Sequence, residues 1–149
     1  MKNLFNQNDA NDIIARIDRL KPTTQKLWGE MSVDQMFAHC AASFKMASGE
    51  KRLPRPFFAG ILGALLKKVY SNEHPFRKNS PTAPFLKIEG NRDFELEKQQ
   101  LKEAIRKFQT GGEAQCTTYP HPFFGKLRPA EWSIGMHKHL DHHLRQFGV

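Results

Sequence analysis

The chain has 149 residues, enough for one domain with its own core, and its 39% hydrophobic content at ordinary charge density fits a globular protein. No run of about 18 apolar residues occurs, which excludes a membrane-spanning helix. The formal net charge of +8 is spread over scattered pairs such as Lys67-Lys68 and Arg106-Lys107 with acids interleaved; there is no arginine-rich block, zinc-finger spacing or Gly-rich phosphate loop, so a diffusely basic surface is expected rather than a nucleic-acid site.

The opening stretch lacks the apolar core and small-residue cleavage site of a secretory signal, so a cytoplasmic location is expected, with Cys40 and Cys116 reduced. Residues 8–20 read as a first helix, capped by Asn8 or Asp9, with Ile13, Ile17 and Leu20 at helical spacing and Lys21-Pro22 as the stop. The connector 22–31 contains Trp28-Gly29. Ser32 followed by Gln35 has the capping-box form, and a helix is predicted from there to about Ala47. Its apolar arc holds Val33, Met36, Phe37, Cys40, Phe44 and Ala47, with His39 at the edge. A lone histidine there reads as a hydrogen-bonded boundary residue. It gains interest as the only candidate third imidazole on a separate amphipathic helix.

Residues 50–56 read as a linker, and 57–70 as a short helix that is apolar nearly all round and weakened by two glycines. The long loop 71–92, rich in Pro, Asn and Ser, has the length of a segment that lies over an opening. Asp93 caps a clear helix to Thr110, with Phe94, Leu101, Ala104, Ile105 and Phe108 as its stripe and Gly111-Gly112 as its end. Residues 117–127 read as an extended loop with aromatic anchors, and Pro129 suits the first turn of a last helix.

That last helix carries four of the seven histidines, at 137, 139, 142 and 143. At about 100° per residue, Trp132, Met136, Leu140, Leu144 and Phe147 share one arc. His139 and His143 lie in or at the rim of that arc beside Gln146, whereas His137 and His142 fall on the flanks and Lys138, Asp141 and Arg145 point away. Two imidazoles one turn apart have the spacing a single metal ion accepts, and a third ligand must then come from elsewhere. A basic helix that happens to be rich in histidine is the alternative. Together the elements predict an all-α fold, a four-helix bundle plus one short extra helix, as a single domain over residues 1–149.

The segments around His39 (Met31-Ser-Val-Asp-Gln-Met-Phe-Ala-His-Cys40) and His139-Leu-Asp-His-His143-Leu-Arg-Gln146 resemble the second and closing helices of the DinB-like (YfiT-like) superfamily of metal-binding bundles. Leu27-Trp-Gly-Glu-Met31, Pro81-Thr-Ala-Pro84, His121-Pro-Phe-Phe-Gly125 and Glu131-Trp132 resemble a branch of it that carries a domain-of-unknown-function label. The resemblance covers nearly the whole chain. It implies an up-down-down-up bundle with one long crossover, a homodimer, and a divalent ion (Zn, Ni or Fe) on His39, His139 and His143. One departure is Arg128, where a Ser or Thr cap is expected.

Three neutral imidazoles leave coordination positions for water or substrate, the arrangement of a catalytic metal site. Characterised relatives include S-transferases and isomerases that use low-molecular-weight thiols, so the resemblance implies a metal-dependent enzyme with a small-molecule, thiol-type substrate. Gln146 is then a candidate to orient a ligand, and His121 a candidate acid/base at the mouth or a hydrogen-bonded loop anchor. The alternative is a non-catalytic metal-binding or stress-response bundle.

Overall fold

A computed structural model describes residues 1–54, 59–80 and 84–149. Among these residues the fold is all-helical: α1 (Gln7–Asp18), α2 (Val33–Ala47), α3 (Ala59–Ser71), α4 (Phe94–Gly111) and α5 (Pro129–Gln146), with short 3-10 turns at Pro84–Leu86 and Gly112–Gln115. Phe57 and Phe58 of the expected short helix, and Pro81 to Ala83 of the expected motif, lie outside the described residues.

The helix starts follow from side chains that satisfy free backbone donors. Asn6, not Asn8 or Asp9, caps α1, accepting from the N–H groups of Asn8 (2.9 Å) and Asp9 (3.1 Å). Asp9 is already engaged, its carboxylate accepting from the Asn3 N–H at 3.0 Å. Gln35 Oε1 accepts from the Ser32 N–H at 3.1 Å, and Asp93 accepts from the Leu96 N–H at 2.9 Å. At α5, Glu131 makes up for the missing cap hydroxyl. Its carboxylate accepts from the Arg128 N–H at 2.7 Å and pairs with Lys67 of α3 at 2.9 Å, and these contacts hold its carboxyl below the usual carboxylate range despite the opposing effect of burial.

Pairwise contacts give the helix directions. Phe37 meets Phe94 and Phe44 meets Phe108, with ring centroids 5.4 and 5.6 Å apart, so α2 and α4 run parallel. Phe5, just before α1, stacks on Phe108 at 5.3 Å, while Asp18 at the other end pairs with Lys102 at 2.7 Å, so α1 opposes α4. The Phe5 N–H donates to Ser133 Oγ (2.9 Å) and Arg16 pairs with Asp141 (2.9 Å), so α1 and α5 run parallel. The four long helices therefore run up, down, down and up, and the α2–α4 crossover carries α3 against α5. Ile13 and Ile17, Phe37 and Cys40, Leu101 and Ile105, and Trp132, Met136 and Leu140 fill the centre.

Because α5 is covered by α1, α2 and α3, more of it is buried than a single apolar arc suggests. Lys138, expected to point outward, is buried: its ammonium donates to Asn72 Oδ1 at 2.7 Å and to the Val69 carbonyl, and lies 4.4 Å from the Phe76 ring centroid. His137, expected on a flank, is buried as well. Leu20, expected inside the first helix, lies beyond it yet stays in the core.

The tightest approach in this layer is α3 on α5. Tyr70 packs directly against Gly135, where an added Cβ would come within 1.8 Å of the tyrosine ring. Alanine favours a helix interior over glycine by about 1 kcal/mol, so Gly135→Ala tests whether packing outweighs propensity. It is expected to destabilise the protein by about 1–3 kcal/mol through overpacking, read as a lower urea midpoint with an unchanged m-value.

Candidate metal centre

His39 stands mid-way along α2, while His139 and His143 occupy successive turns of the opposing α5. The antiparallel crossing sets the three rings together: His39 Nε2 is 3.0 Å from His139 Nε2, and His143 Nε2 is 3.1 Å from the same atom. All three ligand atoms lie within 4.8 Å of one another.

The far side of two rings fixes what each Nε2 presents. His39 Nδ1 is 3.0 Å from the Leu86 carbonyl oxygen, which can only accept, so Nδ1 carries the proton and Nε2 a lone pair. Gln146 does the same for His143. Its amide nitrogen donates to the Trp28 carbonyl at 2.8 Å, which leaves Oε1 to accept from His143 Nδ1 at 2.9 Å. A second strut, the Leu27 N–H donating to the Gln146 carbonyl at 2.7 Å, holds the connector against the end of α5. Gly29 allows this closeness: its φ is +78°, and a Cβ there would sit 2.4 Å from the Gln146 amide nitrogen.

Two fixed lone pairs therefore face a third imidazole nitrogen, which can donate a proton to only one of them. Three such nitrogens are satisfied together by a shared cation. At zinc–nitrogen distances of about 2.0–2.1 Å, tetrahedral ligands stand about 3.3 Å apart, close to the 3.0 and 3.1 Å that separate His139 Nε2 from its two neighbours. The backbone and amide acceptors behind His39 and His143 are the outer partners that metal-ligating histidines carry. Burial also favours the neutral, ligating form. It lowers the pKa of His39, carries His143 down to about 3, and, with the neighbouring rings, depresses His139 well below the ordinary range. The residues present thus fit a divalent ion, through imidazoles that suit Zn, Ni or Fe.

The sequence matches the family described as "Protein of unknown function (DUF1569)" over residues 2–148. The chain belongs to that family. No curated protein and no solved structure matches it.

In this family member the cluster opens onto a cavity of about 240 Å³, to whose lining the long loop contributes Phe76, Ser80 and Leu86. A larger groove of about 730 Å³ along α2 and α4 is bordered by charged side chains such as Lys45, Glu97 and Lys107, and the three-histidine cluster lies on the smaller cavity. His121 is in its wall. Its Nδ1 accepts from the N–H groups of Phe123 (3.1 Å) and Phe124 (3.3 Å), which anchors the turn closed by the His121–Gly125 bridge and leaves Nε2 as the protonated nitrogen. Burial holds this imidazole neutral, with its pKa down to about 3. Gln146 points at the back of His143 rather than into the cavity.

His142, placed on a flank by the helical wheel, also reaches the cavity, its ring 5.9 Å from Phe76 and 6.1 Å from Trp28. Leu86 and Trp28 act through backbone carbonyls, which side-chain identity does not announce; the nearest sequence signal was the Trp28-Gly29 pair. Cys40 and Cys116 are free, and burial raises both thiols, Cys116 to about 11 with help from Glu113, so neither supplies a ready thiolate.

Buried neutral histidines make stability depend on pH. An unfolded histidine takes up a proton near pH 6.5, whereas His121 and His143 resist protonation down to about 3 when folded. Below pH 6.5 the unfolded state therefore binds more protons, and the contribution of each group is lost progressively as pH falls, by up to about 1.4 kcal/mol per pH unit per histidine. The metal-free protein is expected to show a nearly level Tm above pH 7 and a steep decline from pH 6.5 toward 4. Calorimetry in the presence of a chelator checks this.

Proposed function

We propose that the protein is a divalent-metal-binding bundle of the DinB-like superfamily, in which His39, His139 and His143 hold the ion, and that it acts as a metal-dependent enzyme on a low-molecular-weight thiol by S-transfer. The observation that carries the reading is the convergence of three imidazole Nε2 atoms on one point, two of them held as lone pairs by acceptors behind the ring. The up-down-down-up path of α1, α2, α4 and α5 supports it, as does the placement of one histidine on α2 and two on α5. Such an ion supplies a Lewis acid with coordination positions left for a thiolate.

The chain's own residues perform the remaining tasks. Leu86 and Gln146 orient the ligating rings. His121 offers a neutral N–H donor in the cavity wall rather than a base, because its Nδ1 is occupied by two amide donors. The long loop and the aromatic residues line the space beside the cluster. The same reading includes a homodimer working in the cytoplasm, and the mass found by sedimentation equilibrium checks the dimer.

Elemental analysis of protein purified without a nickel column tests the site. Wild type is expected to carry one ion per chain, His39→Ala and His143→Ala to lose most of it, and His142→Ala to keep it. Equal loss in His142→Ala and His143→Ala would break the assignment of faces. Absence of metal from wild type, even after incubation with zinc and nickel, would leave a histidine-bearing bundle without metal-dependent chemistry.

A further inference from the structure

The walls of the cavity beside the cluster are unusual in two respects. They are aromatic: Tyr70 and His121 both stack on Phe124, with ring centroids 4.3 and 4.2 Å away, and Phe123 lies on Phe85 at 5.8 Å. They also carry no fixed charge, since no Asp, Glu, Lys or Arg lines the cavity among the described residues. Among the described residues the side chains with polar atoms that line it are histidines, Tyr70, Trp132 and two serines, Ser43 and Ser80, and Ser43 Oγ is already turned to the His39 carbonyl at 3.4 Å.

We propose that this cavity binds a compact aromatic monoanion, its ring between the aromatic walls and its single anionic donor atom directed at the three-histidine cluster. The inference rests on the metal-binding reading above. Three neutral imidazoles do not offset the charge of a divalent ion, and the described residues of the cavity wall supply no carboxylate, so an anionic donor is drawn to the cluster in surroundings of low polarity. The described wall accommodates one anionic group, because no lysine or arginine among the described lining residues is there to meet a second. The remaining body of the ligand must be apolar and flat, because it meets Phe76, Phe123, Phe124 and Tyr70. At about 240 Å³ the space lies below the roughly 300–1,000 Å³ typical of drug-sized ligands, which limits the body to about one ring.

The test is calorimetric titration of zinc-loaded protein with benzoate, acetate and benzyl alcohol. Acetate has the anionic head without the ring, and benzyl alcohol has the ring without the charge. Benzoate is expected to bind at least about tenfold tighter than either, and to bind the zinc-loaded protein at least about tenfold tighter than the metal-free form. Two variants at partly exposed positions keep the test independent of folding. Phe123→Ala should weaken benzoate about tenfold while leaving acetate binding and zinc content unchanged. Ser80→Asp, at the exposed rim, should weaken both anions and spare benzyl alcohol.

Failure of zinc to bind would overturn the metal reading itself. Zinc binding with benzoate no tighter than acetate would overturn the aromatic part of the proposal and leave the metal site standing. Equal benzoate affinity with and without zinc, or with benzyl alcohol in its place, would overturn the role of the anionic head.

Discussion

The three-histidine cluster depends on hydrogen bonds made behind its rings, not on the histidines alone. Leu86 accepts from His39 and Gln146 accepts from His143, each at about hydrogen-bond optimum, and each bond turns an Nε2 lone pair toward His139. Gln146 holds its orientation because its amide nitrogen is committed to the Trp28 carbonyl, and that contact in turn needs the open backbone of Gly29. A connector, a loop turn and the C-terminal end of α5 are thereby tied to one point. The rest of the bundle keeps α2 and α5 at the separation this arrangement needs.

That separation comes from ordinary core packing at the centre of the bundle and from a less ordinary layer outside it. Fully burying a large apolar side chain contributes about 1.5–3 kcal/mol, and Phe37, Trp132, Met136 and Leu140 are all buried between the helices. Outside α5, the close seating of Tyr70 on Gly135 lets α3 come close enough for Lys67 to meet Glu131 and for Asn72 to receive Lys138. Tyr70 then begins the aromatic wall that continues through Phe124 to His121. The same residue thus joins helix packing to the lining of the cavity.

Electrostatics divides the molecule into two environments. The surface carries the excess of positive charge, and its exposed ion pairs, such as Lys107–Glu50, are well solvated and add little to stability. The cavity carries none among its described lining residues, and its histidines are kept neutral by burial. A neutral, apolar chamber makes imidazole a good ligand and keeps His121 a donor. It also explains why His121, an attractive acid/base candidate from its position in a loop, is better described as an anchor whose Nδ1 holds a turn together.

The sequence by itself determined that this is a helical bundle, because apolar spacing and capping residues are local: Asp93, Gln35 and Pro129 act within one turn of their own helix. It also determined that His139 and His143 share a face, since that follows from helical pitch alone. Helix ends shifted where a nearby partner had already claimed the expected cap, as Asn3 did Asp9. What only the tertiary structure decided was everything that needs two elements at once. His39 joins the pair because α2 runs against α5, and Lys138 and His137 are buried because α5 is enclosed on more sides than one apolar arc reveals. The acceptors that fix the tautomers belong to Leu86 and Trp28, whose carbonyls are common to every residue type, so no reading of side chains could have singled them out.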